Sequence, residues 1–283
     1  MSYDSSYAQA IAEQLAIAIN AKKIDVPVLP DVAQRVLALS NDPDSDASQL
    51  ADIIQSDPTM GGHVIRIANS AAYTPNSNLV SLQQAITRLG MIEISNIAIS
   101  TSINSKLFKA PGYEQHIIQL WQHALATALW AKEIARKMRT NVEAAFLCGL
   151  LHSIGKPVIL QTVADFRMTS DMVMNEEDLS QLFNEFRVPV SQVITDEWGL
   201  PEIVAEAIIY YTDCKTAPSA TELAATILFA SEMATHMIAP ESLPIESLNA
   251  SAALEFINLY PDEVEELMEK ANLVKSSMGA MSS

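Results

Sequence analysis

Apolar residues recur along most of this chain at intervals of three and four, the spacing of one face of a helix. Residues 5–22 follow that pattern through Ile11, Leu15, Ile17 and Ile19 and predict a first amphipathic helix. Val26-Pro-Val-Leu-Pro30 ends it, because each proline withdraws a backbone donor. A second helix is predicted over 31–40. Asp42-Pro-Asp-Ser-Asp46 is a turn that can cap a third, running to Gln55. Asp57-Pro58 supplies an N-cap and a proline at the first helical position, so a fourth starts there and runs through Val64 and Ile67 to Asn69. After a loop at Tyr73-Thr-Pro-Asn-Ser-Asn78, Ser81 caps a helix ending at Gly90, and another spans 91–107. A Pro-Gly break at 111–112 precedes a long helix over 114–139. Further helices fit 142–152, 157–173, 177–186, 190–197, 201–213 and 219–237. A turn with Pro240, Ser242 and Pro244 leads to a C-terminal pair at 249–258 and 261–274. Val158–Leu160 has strand-forming residue types but stands alone, so the predicted class is all-α.

Composition changes this picture in one respect. Of 283 residues, 49% are hydrophobic and only 18% charged, against roughly 25% charged in an average soluble domain. The helices must therefore cover one another, in one large domain or two small ones. The balance of 34 acidic to 17 basic residues leaves a net charge of −17. A field of that sign repels nucleic-acid phosphates and anionic lipid, and no Lys/Arg cluster offsets it; neither partner is expected. Cys148 and Cys214 form no CxxC pair and no disulfide framework, and Cys148 reads as a small buried hydrophobe. The first residues lack the basic and apolar regions of a signal peptide, and no uncharged apolar run approaches about 18 residues. A cytoplasmic location without a membrane span is the expectation.

Several signals of chemistry fail on spacing. Asp42, Asp44 and Asp46 open like a calcium loop, but its glycine and glutamate positions hold Ala47 and Ile53; the cluster reads as a helix cap. Gly149 to Gly155-Lys156 has one residue too many for a phosphate loop, and Pro157 stands where Ser or Thr should hold magnesium. No GxSxG elbow occurs. The histidines remain: His63, His116, His123, His152 and His236. His116 and His123 share a helix face. Any one of them alone reads best as a hydrogen-bonded, partly buried side chain.

Their surroundings change that. Trp121-Gln-His123-Ala-Leu-Ala-Thr-Ala and Glu143-Ala-Ala-Phe-Leu-Cys-Gly-Leu-Leu-His152-Ser153-Ile-Gly-Lys156 resemble the HD superfamily of metal-dependent phosphohydrolases. That resemblance implies a metal site made from a His on one helix, a His-Asp doublet on another and a later Asp, holding a metal that activates water. Further landmarks are similar to the HDOD branch. They are Leu29-Pro30, Asn41-Asp-Pro43, Ile53-Ile-Gln-Ser-Asp-Pro58, Arg66-Ile-Ala-Asn-Ser-Ala71-Ala-Tyr73, Gln84-Ala-Ile-Thr-Arg-Leu-Gly90 and Trp198-Gly-Leu-Pro201. They cover about residues 25–237, in fixed order.

Set against the family pattern, the site has decayed. Ser153 replaces the doublet Asp, and Ser231 aligns with the later one, beside Glu232. Arg187 and Tyr210-Tyr211 stand where relatives carry histidines. Only His123 and His152 survive, and two imidazoles fall short of the roughly three protein ligands a hydrolytic site needs. The resemblance therefore implies no catalytic residues and no cofactor; if a divalent metal is held, His123 and His152 hold it. Lys156 and Arg187 are candidates for contact with an anionic ligand, although a solvated charge at a helix C-terminus is the plainer reading of Lys156.

The implied fold is a multi-helix HDOD fold of two lobes, at 25–107 and a degenerate HD-like lobe at 113–237. A helix at 1–24 precedes them and a helical extension follows at 238–283. Asn69, Ser70 and Tyr73 are expected to cap a helix and pack the lobe interface. The implied function is non-catalytic bacterial signal transduction, acting through signalling proteins or a small regulatory ligand. Two alternatives stand beside it. One is a divergent metal-dependent phosphohydrolase using His123 and His152, helped by Glu232 or Asp213. The other is a small-molecule binder using the cavity between the histidine helices.

Overall fold

In the computed structural model, which describes residues 5–40, 42, 44–74, 79–104, 107–167 and 174–282, every regular element is helical. The first part holds α1 (Ser6–Asn20), α2 (Asp31–Ser40), α3 (Ala47–Gln55), α4 (Pro58–Ala68), α5 (Leu82–Leu89) and α6 (Met91–Ser102). The expected caps are present. Asp46 accepts from the Ser48 and Gln49 N–H groups while Gln49 reaches back to Asp46, so this aspartate cluster is a capping box. Asp57 accepts from Thr59 and Met60, and Ser81 from Gln84. The loop expected at 73–78 lies partly outside the described residues. Asn69 ties its two ends, donating to the Leu79 carbonyl and accepting from the Leu79 N–H at 2.8 and 2.7 Å.

The second part holds α7 (Glu114–Met138), α8 (Val142–Leu151), α9 (Gly155–Arg167), α10 (Glu176–Glu197), α11 (Glu202–Tyr210) and α12 (Thr221–Ile238). A 3-10 turn, Tyr211–Thr216, follows α11 and breaks the helix expected to reach 213, with Asp213 at φ −138° and ψ 59°. The two helices expected at 177–186 and 190–197 are one. Pro189 removes a single donor inside α10, but Leu182, Phe186, Val190 and Ile194 continue one buried face through it, and packing on α9 outweighs the lost bond. Val158–Leu160 is buried helix, and the expected end of α9 at 173 lies outside the described residues. α6 stops short of 107 because Ile103 leaves the helical region and turns inward. The C-terminal extension is four helices rather than two: α13 (Ile245–Asn249), α14 (Ala253–Ile257), α15 (Pro261–Met268) and α16 (Ala271–Ser282).

α7 is the axis of the molecule. Ala124, Ala126, Ala128, Ala131 and Ala135 are buried along it, and these small side chains let α8 and α12 pack closely on either side. Gly149 of α8 is the tightest point: a Cβ there would sit 2.6 Å from the Ala128 Cα. α16 returns across α6 and α7. α1 lies on α9 and α10, where the Ser5 hydroxyl donates to Asp178 at 2.6 Å. The Trp198 indole N–H donates to the Pro27 carbonyl at 2.9 Å, which joins two of the sequence landmarks. Where α6, α7 and α16 converge, Glu93 accepts from Lys132 and Arg136, and Glu133 from Arg136 and Lys270, all between 2.6 and 2.9 Å. The Tyr73 ring centroid lies 6.0 Å from the Lys132 ammonium of α7. The stretch Val142–Phe166 is long and apolar enough to cross a membrane by length and composition, but 78% of its most apolar window is buried among other helices, the position of a core element.

Candidate functional site

The site grows from the junction of α8 and α9. α8 ends at Leu151, and the turn His152-Ser153-Ile154 carries the chain into α9. The His152 ring lies 2.7 Å from the Gly149 carbonyl through Nδ1. A carbonyl only accepts, so Nδ1 bears the proton and Nε2 keeps its lone pair. His123 on α7 lies across from it, with ring centroids 5.4 Å apart. The Thr235 hydroxyl donates to the Ser231 carbonyl at 2.8 Å and so accepts from His123 Nε2 at 3.0 Å. Ser231 thus reaches the site through its backbone, and Thr235 is the α12 side chain that holds His123.

Behind His152, the Tyr211 ring meets it edge-on at 5.1 Å, and the Arg187 guanidinium stacks on Tyr211 at 4.8 Å. Arg187 donates to Thr212 at 2.9 Å through one nitrogen, while Nη1 is buried without a partner. The Lys156 ammonium lies 5.7 Å from the Phe183 ring centroid. Among the described residues, no ion pair includes Lys156 or Arg187. A cavity of about 270 Å³ opens in front of the pair, lined by His116, Gln119, Leu120, His123, Ser153, Lys156 and Phe183. At its rim His116 contacts exposed Glu176 at 3.1 Å.

Sequence reasoning is corrected at Lys156. It is not a solvated charge at a helix C-terminus; it lies half-buried in the first turn of α9. Burial, and then the Arg187 charge, lower its pKa. Burial and the Lys156 charge bring His123 down to about 4. His152 lies well below the ordinary histidine value, through burial and then His123. Both rings are neutral at physiological pH.

This donor set does not fit a divalent metal. No group of three or more His, Cys, Asp or Glu able to hold one occurs among the described residues. Glu232, expected as a helper, lies near Cys214 and Ser251, with its carboxyl pKa raised by burial. Asp213 is exposed and sits 3.9 Å from Lys215. His123 has committed Nε2 to Thr235. Besides the His123 ring, the side-chain charges that act on His152 are those of the cations Lys156 and Arg187, whereas a metal calls for carboxylates.

The HDOD domain family model matches residues 26–214, two thirds of the chain. The chain belongs to the HDOD domain family. Solved structures share the fold across its length. An HDOD domain protein of unknown function from Geobacter sulfurreducens covers 96% of this chain and 98% of its own, at TM-score 0.76 and 21% identity. A Shewanella amazonensis SB2B protein, named as a proposed metal-dependent phosphohydrolase, covers 97% and 100%, at 0.72 and 22%. A Marinobacter aquaeolei VT8 protein, named as a proposed signal transduction protein, covers 100% and 68%, at 0.69 and 20%. An uncharacterized protein of Treponema pallidum (strain Nichols) is 22% identical over 281 residues, and this HDOD chain spans about half (53%) of its length.

The buried imidazoles give the fold an acid sensitivity. Unfolded, His123 takes up its proton near pH 6.5; folded, it stays neutral down to about 4. The unfolded state therefore binds more protons across that interval, and stability falls as pH drops through it. Denaturation midpoints from pH 7 to 4 should decline, and His123→Gln should flatten the decline. An unchanged slope in the variant would remove His123 as the cause.

Proposed function

We propose that this HDOD protein is a non-catalytic bacterial regulator of the cytoplasm, acting through signalling partners or a small ligand held in the histidine cavity. The observation that carries this reading is the donor set: His123 and His152 face each other with no third His, Cys, Asp or Glu completing a metal group among the described residues, Ser153 and Lys156 line the cavity in front of them, and the Arg187 charge acts on both His152 and Lys156. Positive charge there opposes a divalent ion and the metal-activated water it would supply. Purified protein should retain well below about one equivalent of metal and should hydrolyse no generic phosphodiester. Stoichiometric metal by elemental analysis, with activity that disappears in His152→Ala, would overturn the reading. One observation favours the divergent phosphohydrolase: His152 keeps the orientation of a metal ligand, one nitrogen bonded to a backbone carbonyl and the other free. The same assay separates the two.

A further inference from the structure

A second cavity, of about 230 Å³, opens where the turn after α4 meets α5, α6, α7 and α16, and it shares no lining residue with the cavity in front of the histidines. Its charged wall carries Glu93, Lys132, Glu133 and Arg136, already joined in ion pairs. Both carboxylates are taken: Glu93 accepts from Lys132 and Arg136, and Glu133 from Arg136 and Lys270. Arg88, exposed in the last turn of α5, also lines the cavity, and among the described residues no carboxylate pairs with it. Three lining cations therefore face two carboxylates, in a chain whose net charge is −17. The Tyr73 hydroxyl is buried in the same wall, and no partner meets it in bonding geometry, although Glu93 and Ser277 lie near enough to act on it. Burial, then the Glu93 charge, raises its pKa, so it keeps a proton to give. A buried donor in that state is costly, and an acceptor brought into the cavity relieves it.

We propose that this cavity binds a small monocarboxylate with a short apolar tail, its carboxylate on Arg88 and the Tyr73 hydroxyl and its tail against Leu129 and Val274. The excess of one positive charge selects the class. A monoanion neutralises it, whereas a dianion overshoots it and is repelled by Glu93 and Glu133. A cationic ligand finds both carboxylates occupied. A guanidinium holds a carboxylate in a two-bond fork, and the exposed Arg88 side chain is free of the ion pairs that fix Arg136. The volume suits an acid of a few carbons rather than a nucleotide or a peptide. α16 closes one side with Val274 and Ser277, and the family model ends at residue 214, so this wall lies outside the matched domain. The proposal needs nothing from the histidine cavity or from the function proposed for it.

The test is titration calorimetry on the full chain near neutral pH, with isobutyrate as the probe, isobutyramide as its uncharged isostere and chloride matching the ionic strength. Isobutyrate should bind saturably at one site, and isobutyramide at least about tenfold more weakly, the loss expected when a charge-assisted hydrogen bond is removed. Arg88→Met keeps an apolar stem at an exposed position; it should keep the parent's thermal midpoint and lose about tenfold or more in affinity for isobutyrate. Tyr73→Phe removes only the hydroxyl. It should weaken binding by a similar factor without lowering the midpoint, because the hydroxyl it deletes bonds to nothing in the free protein. Absence of saturable isobutyrate binding overturns the proposal. So does isobutyramide binding as tightly as the acid, or Arg88→Met binding isobutyrate as tightly as the parent.

Discussion

Glu93→Ala should lower the unfolding free energy by about 3–5 kcal/mol, the range for breaking a buried ion pair from one side. The Glu93 side chain is 8% exposed and spends one oxygen on Lys132 and the other on Arg136. Lys132 is 6% exposed at the side chain, so removing Glu93 strands an ammonium in the core rather than returning it to water. Glu133 cannot take over, since its carboxylate already serves Arg136 and Lys270. Burial opposes the Glu133 charge, but the Lys270 hydrogen bond and the charges of Arg136, Lys270 and Lys132 outweigh it and hold its pKa below the ordinary value. Replacing both partners, Glu93→Leu with Lys132→Met, should restore much of the loss, because apolar isosteres avoid the desolvation that the pair must offset. Urea denaturation measures all three proteins. A loss under about 1 kcal/mol in Glu93→Ala is the size of an exposed pair and would show that water reaches Lys132.

Gly149→Ala should damage the fold through a single added methyl group. The new Cβ would lie 2.6 Å from the Ala128 Cα and 2.9 Å from its nitrogen, and both are backbone atoms that cannot rotate aside. α8 must lift from α7, at a cost of about 1–3 kcal/mol or more. The Gly149 carbonyl also sets the His152 ring, so the displacement reaches the cavity. Gly62→Ala is the matched control: a Cβ there meets nothing within 4 Å in exposed helix, and stability should rise by about 0.4–1 kcal/mol. Opposite shifts of the thermal midpoint are expected. A Gly149→Ala protein as stable as its parent would mean that the helices separate without loss.

Much of the fold was legible because its signals are local. Asp46, Asp57 and Ser81 cap helices through atoms two or three residues away, so the residues themselves announce the starts. Pro189 misled for the converse reason: the packing that carries α10 through it comes from α9. The site divides in the same way. His123, His152 and Ser153 stood out as a pattern along the chain, and the structure brings them together. Lys156 was misread, because whether its charge meets water depends on Phe183 and Arg187 arriving from α10. Thr235 went unnoticed; its one sequence signal is its place a helical turn beyond Ser231.

The fastenings between distant parts of the chain bear on how the protein folds. Ser5 meets Asp178 across 173 residues, Pro27 meets Trp198 across 171, and Ser100 meets Met281 across 181. Each closes a loop of well over half the chain, and the entropy of that closure is met only after the local helices and the α7–α8 hairpin exist. The first helix therefore waits for the middle of the chain, and the last strap waits for its end. The apolar face of α1 accordingly stays uncovered until α9 and α10, the helices it packs on, have been made.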